Sequence, residues 1–311
     1  MLRSGRRRRG FSARLVSNIA PPGRRPQPPP PLKTLSVGCS LNYQVLAPSA
    51  SFTFNVLASL DQEQRLVAES IVCTPEVPTE IIVTGKGDRL FRADVPSGPF
   101  ELRYQATLEV SRPPSPAAVA PDRPGRLPLS ILTYTLPSRY CESDLFAARA
   151  WDMFGSNPDR AEQVRAICRW VQENIVYTAG ATDGKTSAWD VWQRREGVCR
   201  DYVHLAIAFC RALTIPVRYV GGYAAGLEPM DFHACFEAYL GGSWHLFDPT
   251  EDVPPEDVVV VSRGRDAAQA GLTVIYGRVQ PGPIRVTCTA EAAPAGPAAD
   301  LGGPADARAA S

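Results

Sequence analysis

Between residues 34 and 111 the apolar positions fall in short alternating or continuous runs, at 35–46, 51–60, 65–73, 79–84, 89–95 and 100–110. Turn-forming residues separate them at Ala47-Pro48-Ser49, Gly85-Lys86-Gly87-Asp88 and Pro96-Ser97-Gly98-Pro99. A period near two, punctuated in this way, predicts strands, and six such runs predict a small antiparallel β-sandwich. No cluster of reactive side chains stands among them.

Farther along, the period changes to that of a helix. Ala161, Val164, Ile167, Cys168, Val171 and Ile175 share one helical face, with Asn157 expected as N-cap and Pro158 at the first helical position. A shorter helix is expected from Ser187, carrying Trp189 and Trp192 and ending near Gly197. Over 198–213 the residues Tyr202, Leu205, Ala206, Phe209, Cys210 and Leu213 again share a face, and Pro216 lies beyond the helix end. Three strands are predicted next, at 217–223, 233–240 and 243–247, the last two joined by a tight Gly241-Gly242 hairpin.

The 311 residues, 44% hydrophobic and 21% charged, suffice for two cored domains. The net charge of +1 hides an asymmetry: the first 33 residues hold eight arginines and Lys33, no acid precedes Asp61, and about −8 remains on the rest. With Pro26 and Pro28 to Pro31 in it, the segment 1–33 reads as a solvated, basic, disordered arm. A Pro-rich linker is expected at 112–128 and a disordered Ala/Pro/Gly tail at 289–311, which bounds a β-sandwich domain at 34–111 and a second domain of helices and strands at 129–288.

The stretch 11–20 is broken by Arg14 before it reaches the length of a secretory h-region, and no apolar run approaches a membrane span. A cytoplasmic location is therefore expected, without a nucleic-acid or membrane partner. The eight cysteines are spread singly, with no Cys-x-x-Cys pair, and are expected to be reduced thiols.

Cys199 differs from the other seven in its setting. A thiol is a nucleophile only as the thiolate, and the first turn of a helix, with free N–H groups and the positive end of its dipole, favours that form. Gly197 lets the chain turn sharply into the helix. Of the three histidines, His204 lies five residues on along the same helix, where about 100° per residue turns it away. His245 is mid-strand between Trp244 and Leu246. His233 opens a strand after a Gly-containing loop and is the expected base. Asp248 ends the strand that the hairpin lays beside that of His233, so its carboxylate is expected to orient the imidazole.

These residues lie in four blocks. Gly197-Val198-Cys199-Arg200-Asp201-Tyr202 comes first, then Arg211-Ala212-Leu213-Thr214-Ile215-Pro216-Val217-Arg218-Tyr219-Val220-Gly221-Gly222-Tyr223. His233-Ala234 and Trp244-His245-Leu246-Phe247-Asp248-Pro249-Thr250 complete the set. Taken in order they resemble the transglutaminase-like superfamily, and the β-rich region before them resembles the N-terminal domain of many bacterial members. The likeness covers roughly residues 34 to 288. It implies an α+β fold with a papain-like core of helices on an antiparallel sheet, and a Cys–His–Asp triad of Cys199, His233 and Asp248. It further implies acyl transfer on amide or ester bonds through a thioester, with a peptide or protein as substrate and no cofactor or metal. Cys235 departs from the pattern, standing where an aromatic residue is frequent; the triad is expected to be unaltered by it.

The backbone N–H of Cys199 is the expected first oxyanion donor. An indole N–H of Trp189 or Trp192 is a candidate for the second. A zinc site drawn from Cys199, His204, His233, Cys235 and His245 lacks the paired spacing of known motifs. Gly184-Lys185-Thr186 is no phosphate loop, because Ala179 stands where its first glycine is needed. Two functional readings remain, peptidase or amidase against amine-accepting transglutaminase, with a non-catalytic binding module as the alternative.

Overall fold

The computed structural model describes residue 30 and residues 32–120, 127–250 and 253–290. Most of the expected arm and tail, and part of the expected linker, lie outside the described residues.

Four strands open the fold: β1 (Lys33–Leu57), β2 (Gln64–Thr74), β3 (Thr79–Val83) and β4 (Arg89–Val110). The six runs seen in the sequence become four because two of the expected turns lie inside strands. Strand β1 pairs antiparallel with β4 over nearly its whole length, and register shifts between Val45 and Ser49, where both strands turn a corner. Inward positions switch parity there, from Leu35, Val37, Cys39, Leu41 and Val45 to Ala50, Phe52, Phe54 and Val56. An irregularity that adds residues to one strand both bends it and changes which side chains face inward. Tyr43 and Phe52, on either side of the corner, consequently meet at 5.0 Å between ring centroids. The sandwich is thus one sheet folded on itself around a single core.

Helices α1 (Leu129–Leu132), α2 (Ser143–Phe154), α3 (Arg160–Asn174), α4 (Ala188–Arg194) and α5 (Cys199–Ala212) follow, with short strands β5 (Val176–Tyr177) and β6 (Glu196–Gly197) between them. The N-cap of α3 is Asp159, whose carboxylate accepts from the Ala161 N–H. The expected cap, Asn157, instead accepts from the Asp159 N–H at 2.9 Å and shapes the turn before the helix. Helix α4 begins after Ser187 as expected but ends at Arg195, which takes a left-handed φ of 62°.

Strands β7 (Val217–Ala224), β8 (Phe232–Leu240), β9 (Ser243–Phe247) and β10 (Val258–Gly264) form an antiparallel sheet in the order β10-β7-β8-β9. Helix α5 is buried along its length against this sheet; Leu205, Ala208 and Phe209 share a core with Tyr219, Ala234, Phe236 and Ala238. At Gly241 and Gly242 φ is 61° and 93°, the pair of positive values that a two-residue hairpin turn requires.

Helix α6 (Ala267–Ala270) and strands β11 (Thr273–Tyr276) and β12 (Val279–Ala290) end the described chain. Both strands pair with β1, not with the sheet beside α5. The expected boundary of one unit at 129–288 is therefore crossed: residues 273–290 lie in the N-terminal sheet. Alternation alone could not show this, because a strand's partner is set by the whole fold.

The two sheets also share a core, in which Tyr223, Phe232, Val259 and Val261 pack with Phe54, Leu57 and Tyr104. The buried Gln64 side chain donates to the Val260 carbonyl at 2.7 Å and accepts from the Val260 N–H at 2.9 Å. Arg263, its side chain 4% exposed, reaches across β7 to pair with Glu237 on β8 and also pairs with Asp61 and Asp88 of the N-terminal unit. A cation left without these carboxylates would be costly in such a place, so the two units are held in one relative placement.

Candidate active site

Cys199 is the first residue of α5, and the turn before it is built by local contacts. Asp201, fully buried, accepts from the Val198 N–H at 2.9 Å and from the Thr182 hydroxyl, which satisfies one of the donors left free at the helix start. A Cβ on Gly197 would stand 2.6 Å from the Asp201 Cβ. Glycine is needed there for close approach, more than for the bend that the sequence suggested. The Tyr177 strand residue pairs with Gly197, and the Thr178 N–H donates to the Gly197 carbonyl at 2.9 Å, which pins the segment from the other side.

His233 stands near the start of β8 with its side chain 3% exposed, and Asp248 follows β9 with its side chain 5% exposed. The His233 Nε2 and an Asp248 carboxylate oxygen lie 2.8 Å apart. The other carboxylate oxygen accepts from the Thr250 N–H at 2.9 Å and from its hydroxyl at 2.6 Å, which fixes the acid's orientation. Cys199 lies close enough to the His233 ring to favour its charged form. The three residues singled out in the sequence are thus brought together. Burial works against a charge on His233, while Cys235, the Asp248 hydrogen bond and Cys199 work for it, and the net direction of its pKa is upward.

Cys235, marked in the sequence only by its departure from the family pattern, is brought beside His233 and Asp248. Cys235 is 2% exposed, its sulfur lies within 4.8 Å of a His233 ring nitrogen, and the Asp248 carboxylate is close enough to oppose its ionisation. Burial foremost pushes this thiol up to about 11. The alternation of β8 was the available signal, since residues two apart on a strand share a face. The tryptophans make aromatic contacts: Trp192 stacks on Trp170 at 5.3 Å with Arg195 over it, and Trp189 meets Phe146 edge-on at 5.6 Å. They belong to the aromatic core. The hydroxyl that lies by the Cys199 backbone N–H is that of Tyr177, and burial, then the proximity of Cys199, raises its pKa.

The remaining histidines are also accounted for. His204, fully buried on α5, accepts through Nε2 from the Ala267 N–H at 3.2 Å. His245 pairs opposite Ala238 in the β8–β9 ladder. A cleft lined by Asn42, Tyr43, Thr74, Phe100 and Pro281 lies on the N-terminal sheet; Cys199 is not among its lining residues and is itself partly exposed.

The family model of the transglutaminase-like superfamily matches residues 147–249, a span that holds Cys199, His233 and Asp248. A solved structure from Cytophaga hutchinsonii, provisionally named a cysteine protease, is 36% identical, with 85% of this chain and 92% of that one covered and a TM-score of 0.80. An uncharacterized protein of Mycobacterium leprae is 32% identical over 142 residues, which span 42% of this chain and 50% of that protein. One from Mycobacterium bovis is 29% identical over 234 residues, 66% of this chain and 74% of the relative. The chain belongs to the transglutaminase-like superfamily. Its α+β architecture, a helix-packed antiparallel sheet behind a β-sandwich, is the one the sequence implied.

Proposed function

We propose that the protein catalyses cysteine-dependent acyl transfer on amide bonds of a peptide or protein, with Cys199 as nucleophile, His233 as acid and base and Asp248 as the group that orients the histidine. The observation that carries this reading is the convergence on His233 of Cys199, at the head of α5 and close enough to favour the charged ring, and of Asp248, 2.8 Å from its Nε2. Its likeness to the Cytophaga hutchinsonii protein supports the same chemistry.

The Cys199 thiol gives its proton to His233, and the thiolate adds to the substrate carbonyl carbon. The oxyanion that forms is held by the Cys199 backbone N–H at the helix start. His233 returns the proton to the departing nitrogen as the C–N bond breaks, which leaves a thioester on Cys199 and a free amine. Water or a second amine then adds to the thioester with His233 as base, and the thiolate leaves. Asp248 stays ionised throughout and keeps the Nε2–H bond, so that Nδ1 faces the sulfur. Water as the attacking group makes the protein a peptidase or amidase; a lysine amine makes it a transglutaminase.

The test is labelling with an acyl-thioester-forming probe, followed by peptide mapping. Label on Cys199 that disappears in Cys199→Ser is the expected result. Wild-type protein that takes up no label and turns over no peptide, with or without added amine, would leave a non-catalytic binding module. Products of added mass, set against cleaved products, distinguish the two acceptors.

A further inference from the structure

Cys235 has no part in the scheme above, yet it shares the imidazole on which that scheme depends. A ring nitrogen of His233, the Cys235 sulfur and a carboxylate oxygen of Asp248 all lie within 4.8 Å of one another, and no other such group occurs among the described residues. Borderline metal ions of the zinc type take this donor set, thiolate, imidazole and carboxylate, in tetrahedral geometry. Bond lengths of about 2.0–2.3 Å place tetrahedral donors about 3.3–3.8 Å apart, so closing the widest spacing the three atoms can have takes about 1.0–1.5 Å. One thiolate and one carboxylate balance a 2+ ion, which matters where the side chains are nearly sealed from water. Thr250 already holds the second carboxylate oxygen, as the outer partners of metal-binding carboxylates do.

We propose that His233, Cys235 and Asp248 form a binding site for Zn²⁺ within the active site. Binding replaces the Cys235 thiol proton and takes up the imidazole and carboxylate that serve Cys199. The ion and the acyl-transfer reaction exclude each other, and zinc is a reversible inhibitor; this consequence, though not the binding, rests on the function proposed above.

The test uses the metal-free full chain titrated with Co²⁺, whose thiolate complexes absorb in the near ultraviolet. The expected result is a saturable charge-transfer band, removed by one equivalent of Zn²⁺. Cys235→Ser should lose the band and weaken Zn²⁺ binding by at least about 100-fold, whereas Cys199→Ser keeps both. Thermal melting checks that each variant is folded, and Asp248→Asn, also expected to weaken binding, serves if Cys235→Ser does not fold. No saturable band, or a band that survives Cys235→Ser and vanishes in Cys199→Ser, would overturn the site. Because absorption needs no turnover, a Cys235-dependent band in a protein without activity retains the site and rejects the acyl-transfer reading. Turnover unaffected by Zn²⁺ at concentrations that displace Co²⁺ would reject the inhibition.

Discussion

His204 and His233 are about equally hidden from water, yet their neighbourhoods drive them to opposite states. His204 lies beneath the α6 terminus, between the rings of Tyr140 at 5.0 Å and Tyr219 at 5.4 Å, and its bonded partner is a backbone N–H. A donor can bond only an unprotonated ring nitrogen, so the contact selects the neutral form. Burial first, aided by Arg200 and Arg211 and opposed by Asp266, pulls its pKa down to about 3. The partner of His233 is a carboxylate, which accepts from the ring and favours the charged form against the same burial. Burial supplies the stakes; whether the partner donates or accepts decides the outcome.

The strongest way to break this contrast is Asp248→Asn, which keeps the shape and removes the charge. The expected outcome is a loss of turnover of about 10⁴-fold, read as the rate of thioester formation at saturating probe, since the amide can hold the ring in the wrong tautomer. A loss below tenfold would show that Asp248 does not orient the base.

His204→Phe probes the other side of the comparison. It fills the ring stack and removes the acceptor of the Ala267 N–H, with an expected cost of about 1–3 kcal/mol in chemical denaturation. Thioester formation should stay within about twofold.

That variant also changes the acid limb of stability. The folded pKa of His204 lies below its unfolded value of about 6.5, so the unfolded chain binds the extra proton and the histidine's contribution is lost as pH falls from about 6.5 towards 3. Within that window the slope is about 1.4 kcal/mol per pH unit. Denaturation curves from pH 6 to 4 should be flatter by this amount in His204→Phe, and an unchanged slope would mean that His204 is charged in the fold.

The smallest expected effect is at Thr250. Replacement by Val removes the hydroxyl bond to Asp248 and leaves the backbone bond, for a loss of about tenfold in thioester formation, or about 1.4 kcal/mol. Rescue by Thr250→Ser would separate the lost hydroxyl from a change in packing.

Much of this contrast could be read from the chain itself. His204 falls five residues after Cys199 on one helix, which turns it aside by geometry, and the Gly241-Gly242 hairpin brings Asp248 back towards His233. The surroundings of each histidine could not be read. Asp266, Ala267 and Tyr140 meet His204 from distant parts of the chain. Cys235 was visible as a departure from the family pattern, but its place against the His233–Asp248 pair required the side-chain directions of a twisted sheet.

By itself the sequence determined the elements and the candidate reactive groups, because helical and strand periods, caps and tight turns act between residues a few positions apart. Helix α5 with Cys199 at its head, the β8–β9 hairpin and the choice of His233 over its two rivals all rest on such short-range terms. The tertiary structure decided which distant strands pair, so that β11 and β12 return to β1, and where the first sheet folds over to enclose a core. It also decided the charge states of the buried histidines and the position of Cys235. Those depend on which donors and acceptors meet after desolvation, and that is fixed by packing across the whole chain.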